Sequence, residues 1–442
     1  MSIFKAYDIR GIYPDQLDEA TARKIGNCFA QIIEGKRILT SRDMRASSKP
    51  LQDALIEGMI EAGKEVTNIG LASTPMMNFA VGKFDFDGGV QVTASHNPKE
   101  YNGFKTVARE TVPIGFETGL NRVEKKVKEN ELLVAGAPGE VVEKDVLPEY
   151  IAYVLSFKAS LTPLKVVIDA SNGMAGYTLP GILKKLPGTH EKLFFELDGD
   201  FPNHESNPLA EKNLVVLRKK VIETGADLGV IFDGDADRSV YVDERGEIVR
   251  PDLVTGIIAE ELLQGKTGEK ILIDVRTSWA VRERIEELGC IPEYVKVGHA
   301  YARKKLRDVN AILGGELAGH YYFRDNYYGD SGVLAMLYIW RTLSRSGKKM
   351  SELVKPLAKY PGTGEINFKT ERKDEIIEQM QKEYHDGKQS LLDGLTVEYE
   401  DWWFNLRKSN TEPYLRLNVE ARDQRTFEKK RDEVVEKIEK AL

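Results

Sequence analysis

The sequence predicts three related α/β domains with mixed, mainly parallel sheets, followed by a smaller C-terminal α+β domain. Two observations carry this. A pattern of short apolar strand, polar turn with Asp, Arg or Ser, amphipathic helix, nearby Gly and second strand occurs three times. It runs through ILTSRDMRASS with PLQDALIEGMIEAGKEVTNIG, KVVIDASNG with MAGYTLPGILKKL, and KILIDVRTS with WAVRERIEELGCIPEYVKVG. The copies start near Ile38, Val166 and Ile271, a domain-sized rather than solenoid-sized spacing, and βαβ order calls for a mainly parallel sheet covered by helices. The end of the chain changes order: EINFKT reads as a strand, RKDEIIEQMQKEYH as a helix, LTVEYE, DWWFNLR and PYLRLNVEA as strands, and TFEKKRDEVVEKIEKAL as a helix with apolar residues at 3.6 spacing.

Taken in order, FKAYDIRGIYP is too short and turn-rich for a helix and reads as a strand and loop that could carry Tyr7 and Arg10 into a cleft. The stretch GGVQVT alternates towards a strand, Asn97-Pro98 is turn chemistry, and Asn102-Gly103 permits the return. A helix is expected over ETGLNRVEKKVKENELL, then a small-residue break at AGAPGE. The expected domains are 1–138, 139–247, 248–361 and 362–442, the last boundary lying at the Pro/Gly-rich YPGTG.

Composition excludes several classes. A net charge of −7 leaves no global basic field for nucleic acid or acidic membrane. The two cysteines, Cys28 and Cys290, make no disulfide framework or zinc cluster and read as buried thiols in a reducing compartment. No apolar leader or membrane-length run is present, and a cytoplasmic location is expected.

The stretch TASHNPKEYNGFK sets Ser95 and His96 in a tight loop between apolar runs. If the backbone stays extended, His96 points away from the Ser95 hydroxyl, which disfavours a Ser-His-Asp hydrolase, and no GxSxG elbow occurs. What remains is a hydroxyl that carries a group. In LGVIFDGDADRSVYVD, Asp233, Asp235 and Asp237 alternate after an apolar strand and share one face of an extended backbone. Two carboxylates 4 Å apart repel by about 4 kcal/mol at an effective dielectric of 20, so three call for a cation. Oxygen-only donors indicate a hard metal, with Mg²⁺ favoured where a phosphate adds a ligand. An EF-hand fits Asp233, Asp235, Asp237 and Glu244 but fails at Arg238, where the sharp turn needs Gly.

The segment GGELAGHYYF, preceded by VKVGHA with Lys296 and His299, suggests a strand-end loop that presents Glu316 to a ligand. A carboxylate there could accept from two vicinal sugar hydroxyls, and a surface glutamate is the competing reading. The loop RKSNTEP, between the third and fourth strands of the last domain, offers the Arg407 fork, the Ser409 and Thr411 hydroxyls and the Asn410 amide to a phosphate.

Together these motifs resemble the α-D-phosphohexomutase superfamily over essentially the whole chain. TASHNP resembles its phosphoserine loop, DGDADR its metal loop, GGELAGH its sugar-recognition loop and RKSNTEP its phosphate-binding loop. FKAYDIRG and SNTEP look most like the phosphomannomutase/phosphoglucomutase branch.

The resemblance implies four domains around a central cleft and reversible conversion of hexose 1-phosphate to hexose 6-phosphate, with mannose and/or glucose as the sugar. The route it implies runs through phosphate on Ser95 and a hexose 1,6-bisphosphate, which also serves as activator. Mg²⁺ would sit on Ser95, Asp233, Asp235 and Asp237. Ser95, His96, Lys105, Arg238 and His299 become catalytic candidates, with Lys105 and His299 the candidates for proton transfer. Tyr7, Arg10, Arg276, Lys296, Glu316, Arg407, Ser409, Asn410, Thr411 and Arg416 become substrate-binding candidates.

The expected partner is a small phosphosugar, with no nucleic acid or membrane, in a monomer or homodimer. Two positions depart from the branch: Ala318 replaces a common serine that contacts the sugar, and Arg276 replaces a common lysine. Phosphoglucosamine mutase stays open as an alternative, as do a Mg²⁺-dependent sugar phosphatase working through Asp233 or Asp235 and a silent sugar-phosphate sensor.

Overall fold

The computed structural model describes residues 2–409 and 413–442. Its four sheets follow one another along the chain and form a four-domain α/β architecture. The first contains β1 (Ile9–Ile12), β2 (Arg37–Arg42), β3 (Glu65–Leu71), β4 (Gly88–Val92), β5 (Tyr101–Ala108) and β6 (Val141–Glu143), in the order β1-β5-β4-β2-β3-β6. β2 lies parallel to β3 and β4, while β5 runs antiparallel to β4 and β1. The second contains β7 (Leu164–Asp169), β8 (Gly188–Leu193), β9 (Leu228–Phe232), β10 (Ser239–Val242) and β11 (Ile248–Val249), ordered β11-β10-β9-β7-β8.

The third contains β12 (Lys270–Asp274), β13 (Ile291–Val295), β14 (Leu313–Gly315), β15 (Tyr321–Phe323) and β16 (Gly329–Asp330), ordered β13-β12-β14-β15-β16. In each repeat the expected strand pair is parallel: β2 with β3, β7 with β8, β12 with β13.

The last sheet is antiparallel throughout: β17 (Ile366–Lys369), β18 (Lys388–Ser390), β19 (Leu395–Glu398), β20 (Trp402–Lys408) and β21 (Tyr414–Ala421), ordered β17-β21-β20-β19-β18. The sequence misses β18, whose residues KQS show no apolar alternation, so the loop after Arg407 joins the fourth and fifth strands rather than the third and fourth. The first two sheets also continue a few residues past 138 and 247, through β6 and β11.

The helix expected over ETGLNRVEKKVKENELL is shorter, an α-helix only over Asn121–Glu129, with Asn130 left-handed at its end. Beyond it, Leu133 N donates to Asn27 Oδ1 at 2.9 Å and Leu133 O accepts from Asn27 Nδ2 at 2.8 Å, which draws the chain onto the first helix. That helix, Glu19–Ile32, crosses Ser48–Glu61 backbone to backbone. A Cβ at Gly26 would stand 2.1 Å from Leu55 O, and one at Gly58 1.9 Å from Arg23 O.

One apolar core runs through the first three domains, from Phe79 and Tyr150 to Leu179, Phe232 and the buried helix Gly332–Ser346 with Trp340. The last domain has its own core around Trp402, Phe404 and Leu417. The first three sheets are thus fixed against one another, and the edges carrying the chemistry meet. Among the described residues no helix is long and apolar enough to cross a membrane.

Candidate active site

Ser95 follows β4, fully buried, in a left-handed conformation with φ of 50°. Neighbouring hydrogen bonds impose this unusual backbone. Ser95 N donates to Thr93 Oγ1 at 2.9 Å, and Thr93 Oγ1 donates to Asp43 Oδ2 at 2.7 Å. Arg45 grips the loop from behind. Its Nη2 donates to Ser95 O at 3.0 Å and Asn97 O at 2.6 Å, its Nη1 to Pro98 O at 2.8 Å and Tyr101 O at 3.0 Å. Sequence reasoning missed Arg45 and Asp43, although their segment SRDMR sits at the end of β2, beside the strand that carries the loop.

Because Ser95 is left-handed, the segment is not extended. His96 therefore lies beside the hydroxyl rather than opposite it, with Nδ1 3.4 Å from Ser95 Oγ. Burial and the cations Arg238, Arg10 and Lys105 push its imidazole well below the usual histidine range, so it is neutral. No carboxylate hydrogen-bonds to it among the described residues, and a Ser-His-Asp relay is not assembled.

The DGDADR loop joins β9 to β10. It is a turn with Ala236 at φ 60°, rather than extended backbone, and the turn itself gathers Asp233, Asp235 and Asp237 into a cluster of donor atoms within 4.8 Å of one another. Flanking antiparallel strands exclude the EF-hand. The serine loop and metal loop touch: Ser95 Oγ donates to Asp233 Oδ2 at 2.8 Å. Gly234 allows this approach, since a Cβ there would stand 2.4 Å from Ser95 O.

All three carboxylates are buried. Burial, Asp237 and Asp235 push the Asp233 carboxyl well above the usual aspartate range. Against burial, Lys105 and Arg238 hold Asp237 well below it. Lys105, on β5, donates to Asp235 Oδ2 at 2.6 Å and also to Asp237 Oδ2. Burial works against its charge, but Asp235 and Asp237 outweigh burial and raise its pKa, so in this form Lys105 is a counter-ion of the metal loop. Asp235 Oδ1 and Asp237 Oδ1 remain buried without a hydrogen-bond partner among the described residues. Orphaned carboxylate oxygens beside a serine hydroxyl fit a hard divalent cation.

Arg238 links this loop to the third domain. Its N donates to Asp233 Oδ1 at 3.2 Å and its Nε to His320 Nε2 at 3.1 Å, so the His320 proton is on Nδ1, 3.0 Å from Glu316 Oε2. Glu316 is buried, not a surface glutamate. Its carboxylate also accepts from Gly298 N at 2.8 Å and from Tyr322 Oη. Burial opposes the charge, yet His320, Tyr322 and Gly298 hold Glu316 well below the usual range. Each oxygen thus has a protein donor that fixes its position, and a carboxylate's further lone pairs can still accept from a ligand.

Tyr7 Oη donates to Val297 O at 3.0 Å, and its ring meets His299 edge-on at 5.4 Å. His299 starts a helix and is pushed well below the usual histidine range by burial, Lys105 and His320. Lys296 stands over the Tyr301 ring. Arg10 lies within β1 and donates to Asp8 Oδ2 at 3.0 Å, Asn97 Oδ1 at 2.6 Å and Ala94 O, so it braces the serine loop.

Arg276 donates to Asp274 and Glu365, and Glu365 also holds Arg407 and Arg416. Leu317 N donates to Asp274 Oδ2 at 2.9 Å, joining this cluster to the Glu316 turn. Ser409 N donates to Tyr414 O at 2.9 Å. Asn410 and Thr411 lie outside the described residues. Asp274 and Glu365 escaped sequence reasoning, and His320 ends the GGELAGH motif without a role that the sequence alone reveals, since each acts as the charged or polar partner of a residue in another segment.

Known proteins share the sequence of domains. Residues 1–133, 148–246 and 250–360 match the descriptions phosphoglucomutase/phosphomannomutase, alpha/beta/alpha domains I, II and III, and residues 365–437 match the C-terminal domain of the same family. The chain is 38% identical over 424 residues to phosphohexose mutases of Xanthomonas campestris, covering 95% of each chain. It is 38% identical over 444 residues to the phosphomannomutase of Methanocaldococcus jannaschii, covering 100% of this chain and 98% of the relative. A crystal structure of a phosphoglucomutase/phosphomannomutase family protein from Burkholderia thailandensis superposes with a TM-score of 0.92 at 32% identity, covering 99% of this chain and 97% of that one.

Proposed function

The chain belongs to the phosphoglucomutase/phosphomannomutase family, and from that premise we propose that it interconverts hexose 1-phosphate and hexose 6-phosphate, of mannose and/or glucose, through phosphate carried on Ser95. It is an isomerase of the phosphohexomutase kind, acting by phosphoryl transfer. The observation that carries the reading is the hydrogen bond from Ser95 Oγ to Asp233 inside a buried cluster of three aspartates. A nucleophile for ester hydrolysis needs an oriented base, whereas a carrier of phosphate needs a cation beside it.

Ser95, Asp233, Asp235 and Asp237 would hold Mg²⁺, which when bound stabilises the negative charge that develops on the transferring phosphoryl oxygens. The bond from Ser95 Oγ to phosphorus breaks as the sugar hydroxyl bonds to phosphorus, giving a hexose 1,6-bisphosphate. The hydroxyl proton goes to neutral His299, Ser95 Oγ leaves with the electron pair of its bond to phosphorus and takes a proton from solvent, and Arg238 steadies the Ser95 loop through Asp233. After the bisphosphate turns over, Ser95 Oγ loses its proton to solvent and bonds to the other phosphorus as the bond from that phosphorus to the sugar oxygen breaks, protonated His299 returns its proton to the sugar oxygen, and the product leaves. Arg407, Ser409, Asn410, Thr411, Arg416 and Arg276 grip the non-reacting phosphate, so one pocket serves both orientations. Tyr7, Arg10 and Lys296 line the cleft, and Glu316 with His320 shapes its sugar-facing turn.

The test is intact-mass analysis of the isolated protein for phosphate on Ser95, together with turnover of mannose, glucose and glucosamine 1-phosphates with Mg²⁺ and a trace of hexose bisphosphate. Ser95→Ala is expected to convert none of them measurably. Full turnover by that variant, or release of inorganic phosphate in place of the isomer, would overturn the reading, the latter in favour of a phosphatase.

A further inference from the structure

Three guanidiniums from two domains converge on one carboxylate at the junction of the third and last domains. Glu365 Oε2 accepts from Arg407 Nη2 at 2.7 Å and from Arg276 Nη1 at 3.3 Å, and Oε1 pairs with Arg416 Nη1 at 2.9 Å. Arg276 and Arg407 are 6% and 2% exposed, so water does little to separate their charges. Asp274 offsets one of them, accepting from Arg276 Nη2 at 2.6 Å. Glu365 is the carboxylate that all three arginines share.

Its backbone is fixed by the last domain. In the connector before it, Thr363 N donates to Val419 O at 2.9 Å and Gly364 O accepts from Asn418 Nδ2 at 2.6 Å. The side chain therefore projects from a connector pinned to β21 and reaches back to Arg276 beyond β12. Burial opposes its charge, but Arg407, Arg276 and Arg416 outweigh burial and keep it ionised.

We propose that Glu365 is a positioning residue: it holds Arg276, Arg407 and Arg416 together across the domain junction as an anion-binding fork for the non-reacting phosphate of a sugar phosphate. This rests on the reading of the loop after Arg407 as the phosphate pocket. A guanidinium carries five N–H donors in a rigid plane, so it can hold Glu365 on one edge and a phosphate oxygen on another. Arg407 has such an edge, since its Nε is buried and has no hydrogen-bond partner among the described residues. Without the Glu365 charge, three like charges would face one another with less to hold them together, and they would separate until a ligand gathered them. Pre-arranged donors spare the ligand that ordering.

The test compares wild type with Glu365→Gln, which keeps the shape and loses the charge, and Glu365→Asp, which keeps the charge on a shorter arm. Calorimetric titration with inorganic phosphate and steady-state kinetics with glucose 1-phosphate are the readouts. For Glu365→Gln the Kd for phosphate and the KM are both expected to rise about tenfold or more, with kcat changed less than about threefold. Glu365→Asp is expected to fall between.

Unchanged or tighter phosphate binding by Glu365→Gln, or a loss confined to kcat, overturns the proposal. If circular dichroism shows that Glu365→Gln does not fold, unchanged phosphate affinity in Glu365→Asp overturns it equally. Weaker phosphate binding by the variants, in a wild type that isomerises no sugar phosphate, would sustain the role of Glu365 and remove the mutase reading.

Discussion

Arg45 Nη2 donates to the carbonyl oxygen of Ser95 at 3.0 Å, so the residue proposed to carry phosphate is held from behind by a side chain fifty positions earlier. The same guanidinium satisfies three further carbonyls of the loop, those of Asn97, Pro98 and Tyr101. Its Nε also lies 3.3 Å from Asp43 Oδ2, with both side chains buried.

Arg45→Ala is therefore expected to destabilise the protein by about 3–5 kcal/mol, the usual cost of removing one partner from a buried ion pair. Arg45→Lys keeps the charge but loses the planar fork. It is expected to fold and to lose about 10- to 100-fold in kcat, because a displaced nucleophile loses its alignment. Denaturant unfolding and initial-rate kinetics check the two variants.

Chelation tests the metal loop. Dialysis against EDTA is expected to lower turnover by more than about a hundredfold, and added Mg²⁺ to restore it. Asp235→Asn, which weakens the cluster while leaving a side chain of the same shape, is expected to need a higher Mg²⁺ concentration for half-maximal rate. The measurement is rate against free Mg²⁺.

Ala318 lies in the turn between Glu316 and His320, next to Gly319 at φ 83°. Ala318→Ser adds a hydroxyl where a sugar hydroxyl is expected, and one net hydrogen bond contributes about 1 kcal/mol, or about fivefold in binding. KM for mannose or glucose 1-phosphate is expected to fall by that factor, with kcat little changed. Parallel KM measurements on both sugars also show which one the turn favours.

His204 gives a pH dependence of stability. Its Nε2 lies 3.0 Å from Asp169 Oδ2, and although burial disfavours the imidazolium, the Asp169 hydrogen bond and charge outweigh burial and raise its pKa above the usual 6.5. The folded state thus binds this proton more tightly than the unfolded chain does. The resulting stability is fully present below pH 6.5 and is lost as pH rises through the folded value. Thermal unfolding between pH 5.5 and 9 is expected to show that decline, and His204→Asn to flatten it.

Much of the site was legible in the sequence because its donors stand in short motifs. DGDAD marks a cluster of carboxylates that repel one another, and the small, turn-forming neighbours of Ser95 mark a loop between strands. The three repeats revealed the α/β domains because parallel pairing imposes a strand-helix-strand period. Less legible were the places where one motif is held by another. The turn of His96 towards Ser95 depends on a left-handed residue fixed by Thr93, Asp43 and Arg45, and the extended reading failed there.

By itself, then, the sequence determined the four domains, the loop that holds Ser95, the acidic cluster and the family resemblance, because periodicity and local charge spacing are properties of neighbouring residues. Only the tertiary structure decided which charges meet. It made Lys105 the partner of Asp235, joined Arg238 to His320, fixed Glu316 with donors from Gly298 and Tyr322 and brought Arg276 and Arg407 to Glu365. Three of these pairings, Lys105 with Asp235, Arg238 with His320 and Arg276 with Glu365, form between domains at distances that no local pattern encodes, and burial strengthens them by removing the water that would screen them.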